Sequence, residues 1–141
     1  MIPRFSYYLF DVDGTLLDSA TDICGAVKEA LSTTTADGTP ESLLRTYIGR
    51  HLYDLFEDLL PGITQAEMEK LLQQYRSIYL AREHRATRPY PGVKDALSRL
   101  GGRKSTATTK STETTQAVLE KFGLLPYFDH VQGTDGFPSK P

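Results

Sequence analysis

Cysteine is scarce in this sequence: Cys24 is the only one among 141 residues. A single thiol excludes an intramolecular disulfide, and without any other redox feature it favours a reducing compartment, so we expect a cytoplasmic protein. Cys24 lies in a stretch with helical periodicity, and no histidine is near it in the sequence. We therefore expect a small buried side chain there rather than a catalytic thiol.

Long apolar runs and clusters of positive charge are also missing. The longest apolar runs span a few residues, which predicts no membrane span, and residues 1–6 lack the basic and then apolar order of a signal peptide. The 16 Lys and Arg residues are spread along a chain of formal net charge -2, which argues against a nucleic-acid partner. With 39 % apolar and 24 % charged residues, the composition is typical of a folded globular protein.

A short apolar strand opens the predicted fold. Residues 7–10 form a continuous apolar and aromatic run that stops abruptly at Asp and Gly, a pattern typical of a strand buried on both faces. Residues 11–15 then form the loop at the carboxyl end of this strand, which is where open α/β sheets bind ligands.

Four helical segments follow one another between residues 18 and 88, with no predicted strand between them. The second begins at Thr39 and Pro40 and is ended by Gly49. The fourth begins with a capping box at Thr64. This succession predicts a small helical domain inserted after the first strand.

The predicted helical insert ends at residues 89–92, where Pro and Gly interrupt the helices. Residues 103–110 should form the second strand of a βαβ unit, although they are rich in Thr, whose hydroxyls need partners if buried. A further helix begins at Ser111, and residues 128–133 predict a third strand. Together these elements predict an α/β fold, a Rossmann-like core with a parallel sheet and an inserted helical domain. The predicted domains are the core, residues 1–17 and 89–141, and the helical insert, residues 18–88.

Two carboxylates, Asp11 and Asp13, stand in the loop after the first strand. In extended backbone, residues two apart face the same side and lie about 6.6 Å apart. Carboxylates this close repel each other unless they share a cation, and Mg²⁺ prefers oxygen ligands. Gly14 would allow a sharp turn, and Thr15 offers a hydroxyl and an amide to phosphate oxygens. The alternative is that Asp and Gly merely end the strand.

The complete string of residues 10–19, Phe-Asp-Val-Asp-Gly-Thr-Leu-Leu-Asp-Ser, resembles the first signature of the haloacid dehalogenase (HAD) superfamily. The whole chain resembles the phosphoglycolate-phosphatase-like branch, in which a helical cap follows the first motif. The resemblance implies a Mg²⁺-dependent phosphatase that acts on a small phosphorylated metabolite through an aspartyl-phosphate. It implies that Asp11 is the nucleophile, that Asp13 protonates the leaving oxygen and later activates water, and that both are metal ligands.

Two further motifs of the superfamily match this sequence in the expected order. Thr108 fits the residue whose hydroxyl holds a phosphoryl oxygen, and Thr109 stands where the family often has Asn, a departure that bears on substrate contacts. Lys140, followed by Pro141, fits the lysine that offsets charge on the nucleophile and the phosphate. Taken alone, Thr108 is equally an ordinary strand residue, and Lys140 before Pro141 indicates nothing because exposed lysines are common.

The fourth motif of the superfamily, an acidic pair that supplies another Mg²⁺ ligand, is not found before Pro141. We therefore expect a chain truncated before that motif, which would not bind Mg²⁺ normally. The last strands of the family's sheet would be missing with it, and an open sheet cut there has an unpaired edge and an uncovered apolar face.

In this superfamily, substrate choice is attributed to the cap. Gly49 and Arg50 lie in a cap loop that would reach over the site, where Arg50 could bind a substrate carboxylate or phosphate through a bidentate fork. The alternative is that Gly49 simply ends a helix and that Arg50 is solvated.

Other functions of the same fold stay open. A sugar-phosphate mutase differs from a phosphatase in passing the phosphate to a second sugar hydroxyl instead of water. A phosphonate hydrolase would need a cap lysine, for which the sequence offers Lys28 and Lys70. A dehalogenase is disfavoured because that branch does not usually keep the second Asp of the signature, here Asp13. An inactive fragment is the alternative of a different class, and the oligomeric state is open.

Overall fold

The computed structural model describes residues 3–135. The chain divides into two compact units: the first combines the residues up to Asp18 with those from Arg88 onward, and the second is Ser19–Thr87. The strands are β1 (Tyr7–Phe10), β2 (Leu17–Asp18), β3 (Arg88–Pro89) and β4 (Arg103–Thr106). The α-helices are α1 (Ala20–Leu31), α2 (Glu41–Arg45), α3 (Leu52–Leu59), α4 (Gln65–Ala81), α5 (Val93–Arg99) and α6 (Thr112–Lys121).

The first unit is built on a parallel pair of strands. β1 and β4 pair with Tyr7 opposite Arg103 and Phe10 opposite Thr106, which confirms the predicted α/β fold with a parallel sheet. β2 and β3 form a separate antiparallel pair where the chain leaves and re-enters this unit. The apolar core of the unit contains Val12, Leu16, Leu17, Leu97, Val118, Leu119, Leu124 and Val131.

The prediction that β1 is buried on both faces is wrong. Tyr7 and Leu9 are 68 % and 73 % exposed, whereas Tyr8 and Phe10 are half-buried and Phe10 packs on the core. Within residues 3–135 the sheet that contains β1 has two strands, and nothing in that range covers the outer face. An apolar run therefore predicted the strand correctly but overestimated its burial.

The third strand predicted at residues 128–133 is not formed. These residues make a single parallel bridge, between His130 and Ser105. The N–H of Gln132 donates to Thr106 Oγ1 at 2.8 Å, and the same hydroxyl donates to Gln132 O at 2.9 Å. Because a side-chain hydroxyl takes both groups that a ladder would pair with backbone, the pairing stops there. The same two bonds supply the partners that a buried threonine needs.

Replacing Thr106 with Val is expected to lower the free energy of unfolding of the first unit by about 1–3 kcal/mol. Valine has nearly the same shape as threonine, but it has no hydroxyl to bond the backbone of Gln132. Thr106 is 1 % exposed, so water does not take the place of that hydroxyl. The matched control is Thr46→Val, because the exposed Thr46 hydroxyl donates to Leu43 O and water can replace it. Amide hydrogen exchange across β4 measures the first effect. Equal, small effects of both substitutions would contradict the prediction.

The second unit is helical throughout its regular structure, and its long helix begins as predicted. Thr64 Oγ1 accepts from the Glu67 N–H at 3.2 Å, and the Glu67 carboxylate accepts from the Thr64 N–H at 2.9 Å, so the capping box is confirmed. The predicted run of the second helix to Gly49 is wrong, since α2 ends at Arg45. Thr46 donates its hydroxyl to Leu43 O at 2.7 Å, a local bond that competes with helix propagation.

The apolar core of the second unit is separate from that of the first. Cys24 belongs to it and is 1 % exposed, so its predicted burial is confirmed, and this burial raises the pKa of the thiol. The largest fully buried side chains of the unit are Val27, Leu31, Leu44, Phe56 and Met68.

A buried carboxylate joins the two ends of the second unit. Asp22 in α1 is 1 % exposed, and it accepts from Arg82 Nε at 3.0 Å, the Ala86 N–H at 3.0 Å and the Thr87 hydroxyl at 2.7 Å. Burial alone would raise the pKa of Asp22, but these hydrogen bonds and the Arg82 charge together hold it below its ordinary value. The start of α1 is thereby tied to the segment after α4.

None of the helices within residues 3–135 has the length and apolar character needed to cross a bilayer.

Candidate active site

Two loops leave the parallel strands side by side. β1 continues into residues 11–15 and β4 into residues 107–110, and the Ala107 N–H donates to Phe10 O at 2.8 Å, just beyond the last paired residues. Because parallel strands end at the same edge of their sheet, the two loops are neighbours. Four of the candidate residues from the first loop and two from the second are thus brought to one edge.

The loop after β1 is a tight turn closed on one carbonyl. Val12 O accepts from the N–H groups of Thr15, Leu16 and Leu17 at 3.2, 2.9 and 3.1 Å. Gly14 has φ of 80° and donates to Leu17 O at 2.8 Å, a conformation that favours glycine. The amide of Thr15, expected to face phosphate, is engaged inside this turn, so the hydroxyl is the group that remains a candidate.

The two carboxylates of the loop have different surroundings. Asp11 is exposed, and its Oδ1 accepts from the N–H of Val12 at 2.8 Å. The side chain of Asp13 is 8 % exposed and lies 3.5 Å from the ammonium group of Lys110, which is also 8 % exposed. Val12, between them, is fully buried and anchors the loop to the core. One carboxylate is therefore open to solvent, and the other is enclosed beside a positive charge.

Lys110 is a site residue that the sequence analysis missed. It stands directly after the two threonines of the second motif, and the signal that could have found it is a basic residue at the edge where two carboxylates are expected. A lysine four residues after a strand is common, so only its distance of 3.5 Å from Asp13 Oδ2 distinguishes it.

Thr108 is held by one hydrogen bond from its own loop and one from residue 134. Its hydroxyl accepts from the Lys110 N–H at 3.2 Å, which leaves the hydroxyl proton available for donation to a bound oxygen. Its carbonyl accepts from the Thr134 hydroxyl at 2.9 Å. Thr109 is half-buried in the same loop.

The other three predicted site residues are Lys140, Gly49 and Arg50. Lys140 lies outside the described residues. Gly49, with φ of 89°, and Arg50 are exposed residues of the second unit. The guanidinium of Arg50 lies 4.7 Å from the centre of the Tyr47 ring. The hydroxyl of Tyr47 donates to Asp58 at 2.8 Å, and this bond raises the pKa of Tyr47.

The donor set at the edge is two carboxylates, Asp11 and Asp13. Among residues 3–135 there is no group of three or more His, Cys, Asp or Glu side chains that could hold a metal. Mg²⁺ is commonly bound through one or two carboxylates, with water and substrate phosphate completing its six oxygen ligands. The residues present therefore fit that ion, and they do not suit a metal that needs nitrogen or sulfur ligands.

Curated relatives cover most of this chain. A phosphoglycolate phosphatase of Caulobacter vibrioides is 32 % identical over an alignment of 137 positions, which covers 92 % of this chain and 58 % of the relative. A phosphoglycolate phosphatase of Nitrosospira multiformis is 31 % identical over an alignment of 140 positions, which covers 94 % of this chain and 62 % of the relative. The chain thus spans about three-fifths of the length of these relatives.

Solved structures agree with the fold. A predicted phosphatase from Clostridium acetobutylicum matches with a TM-score of 0.85 and 30 % identity, over 94 % of this chain and 62 % of that one. A predicted phosphoglycolate phosphatase from Haemophilus somnus matches with a TM-score of 0.81 and 26 % identity, over 99 % and 67 %. The family model of the haloacid dehalogenase-like hydrolases matches residues 8–141. The chain accordingly belongs to the haloacid dehalogenase-like hydrolase family.

Proposed function

We propose that the protein containing this chain is a Mg²⁺-dependent phosphatase that hydrolyses a small phosphorylated metabolite through an aspartyl-phosphate on Asp11. The observation that carries the proposal is the edge of the parallel sheet, where an exposed Asp11 and an enclosed Asp13 in one loop adjoin Thr108 in the next. Lys110, in the same loop as Thr108, lies 3.5 Å from Asp13, so an ion pair connects the two loops.

The reaction divides between the two carboxylates. An oxygen of Asp11 attacks phosphorus, the bond from phosphorus to the ester oxygen breaks, and the departing oxygen takes a proton from Asp13. Water then attacks the same phosphorus, gives its proton to Asp13, and releases inorganic phosphate together with the free Asp11 carboxylate. The exposure of Asp11 supports its role as the group that meets substrate, since an attacking oxygen must be accessible.

Hydroxyl and ammonium groups would bind the phosphoryl oxygens of the substrate. Thr108 and Thr15 would donate hydroxyl protons to them, and Gly14 and Thr109 would line the same position. Lys140 would offset their charge. It is five positions after Asp135 in the sequence, and a chain of that length spans up to about 17 Å. The segment that leads to Lys140 starts at this loop, because the Thr134 hydroxyl donates to Thr108 O.

Asp11 and Asp13 would hold Mg²⁺. When bound, the ion supplies neutralisation of the negative charge that builds up on a transferring phosphoryl group.

We assign residues 1–17 and 89–141 to the catalytic core and residues 18–88 to a cap that selects the substrate. Gly49 and Arg50 are the proposed cap residues for substrate binding, with the guanidinium suited to a carboxylate. A phosphorylated hydroxy acid such as phosphoglycolate is the proposed substrate class. The names of the curated relatives favour it, and a carboxylate is the group that the proposed role of Arg50 would bind. A cytoplasmic location is consistent with such a substrate.

The test is phosphate release from a panel of small phosphate esters, with phosphoglycolate among them, by the protein that contains this chain. We expect release in the presence of Mg²⁺, loss to background after chelation with EDTA, and recovery when Mg²⁺ is restored. Phosphoglycolate should be preferred over esters that have no carboxylate. Release that is unaffected by EDTA would contradict the proposed chemistry. Transfer of the phosphate to a second sugar hydroxyl would identify a mutase instead.

A further inference from the structure

The segment Gly133, Thr134 and Asp135 is bonded to the loop that contains Thr108 by a concentrated set of contacts. Asp135 accepts from both the N–H and the hydroxyl of Thr112, at 2.9 and 2.7 Å. The same Thr112 hydroxyl accepts from the Gly133 N–H at 3.0 Å. Thr112 is the first residue of α6, so Asp135 caps this helix from a distant part of the chain.

Thr134 completes the attachment one residue closer to the candidate site. Its N–H donates to Lys110 O at 2.8 Å, and its hydroxyl donates to Thr108 O at 2.9 Å. Thr134 alone thus bonds the backbone carbonyls of both Thr108 and Lys110.

The approach of the two segments admits no side chain at residue 133. A Cβ built on Gly133 would collide with the backbone N of Thr112, the carbonyl O of Lys110 and the carbonyl C of Ser111. Gly133 is buried. Since all three colliding atoms are backbone, neither segment can yield without displacing the loop. Glycine here is required by a close contact rather than by a turn.

We infer that residues 133–135 position the phosphate-binding loop of the proposed phosphatase, with Asp135 as a positioning residue that acts through Thr112. The inference rests on the proposed function, because it gives the loop of residues 108–110 its role. It adds that this loop is held in place by a segment that lies 23 to 26 positions later in the sequence. Asp135 itself touches no reacting atom.

The charge of Asp135 suits this role. The N–H and hydroxyl of Thr112 lower the pKa of the carboxyl group, and the carboxylate lies at the positive end of the α6 dipole. The carboxylate therefore stays ionised, and the attachment keeps its form, throughout the neutral range.

The test compares Asp135→Ala with Asp129→Ala in the full protein. Asp129 is a matched control, because it is also exposed and also accepts from a backbone N–H, that of Lys104 at 2.8 Å, but near the other end of β4. We expect Asp135→Ala to raise the KM for phosphoglycolate, and the inhibition constant for inorganic phosphate, by about tenfold. Asp129→Ala should leave both constants unchanged.

A second pair of variants shows whether Asp135 acts through Thr112. Asp135→Asn keeps an oxygen for the Thr112 N–H, so it should recover most of the lost phosphate affinity. It also replaces the Ala variant in the comparison if that variant does not fold. Thr112→Val alone should weaken phosphate binding, and combining it with Asp135→Ala should add little. Fully additive effects would overturn the inference.

Hydrogen exchange separates failure of this inference from failure of the proposed function. In Asp135→Ala the amides of Thr112 and Thr134 should exchange faster, while those of β1 stay protected. If the wild-type protein releases no phosphate from any ester, the proposed function fails, and unchanged exchange would overturn the positioning role independently. If the wild type is active and Asp135→Ala changes neither KM nor exchange, the inference alone is wrong.

Discussion

Replacing Asp11 with Asn is expected to abolish phosphate release, with a loss in kcat of roughly 10⁶-fold, the scale found when a catalytic nucleophile is removed. An amide oxygen does not form the covalent phosphoryl intermediate, so the proposed first step has no nucleophile. Asn nevertheless keeps the size of the side chain and the oxygen that accepts from the Val12 N–H at 2.8 Å. The fold of the loop should therefore survive, and the measurement is steady-state phosphate release with Mg²⁺ present.

The control for this variant is Asp95→Asn in the same unit. Asp95 is exposed on α5 and pairs with Arg99 at 3.1 Å, so its loss should change kcat by less than the error of the assay. Acid-quenched wild-type protein should also carry phosphate on the peptide that contains Asp11, and the Asn variant should not. Retained turnover in Asp11→Asn would reject the nucleophile assignment, and an equal loss in Asp95→Asn would mean general damage.

Replacing Asp22 with Ala is expected to destabilise the second unit by about 3 kcal/mol, the low end for breaking a buried ion pair from one side. The change leaves the Arg82 guanidinium, the Ala86 N–H and the Thr87 hydroxyl without the carboxylate that all three approach within 3.0 Å. The low end applies because the Arg82 side chain is 31 % exposed, so water can solvate part of the charge left behind.

The same carboxylate predicts how stability changes in acid. Its pKa in the folded protein is lower than its ordinary value of about 3.9, so its contribution is complete above that value. The contribution is lost as the pH falls through the lower folded pKa. Wild-type protein should therefore lose protection of the second unit below about pH 4, and Asp22→Ala should show a smaller change over the same window.

Amide exchange in α1 and α4 is the appropriate measurement for Asp22, because two compact units need not unfold together and a single melting temperature would mix them. Asp37→Ala is the control, since Asp37 is an exposed carboxylate of the same unit and its loss should matter by less than about 0.5 kcal/mol. Similar exchange in the two variants would show that the Asp22 contacts contribute little.

Much of the candidate site could be predicted because its residues form a recognisable pattern within a short stretch of sequence. Asp11, Asp13 and Gly14 follow an apolar run within a few positions, and the φ of 80° at Gly14 is the sharp turn that this order predicts. Lys110 could not be assigned in the same way. Its meaning depends on β4 lying next to β1, which no short-range pattern in either strand specifies.

The strands show the same division. The aromatic run of residues 7–10 predicted β1, yet the exposure of Tyr7 and Leu9 depends on which elements cover the sheet. Residues 128–133 have the composition of a strand, but the hydroxyl of Thr106 takes the backbone groups of Gln132. Strand propensity measures the fit to a pleated surface and contains no information about which segment lies beside the strand.

The sequence by itself determined the helices and their starts, the glycine turn and the order of the carboxylates, because caps and periodicities act within one or two turns of chain. Thr64 and Glu67 meet across three positions. The tertiary structure alone decided that Asp22 meets Arg82 across 60 positions and that Asp135 meets Thr112 across 23. Such pairs form only where packing of the apolar cores has already brought their elements together, and that packing is a property of the whole chain rather than of any segment.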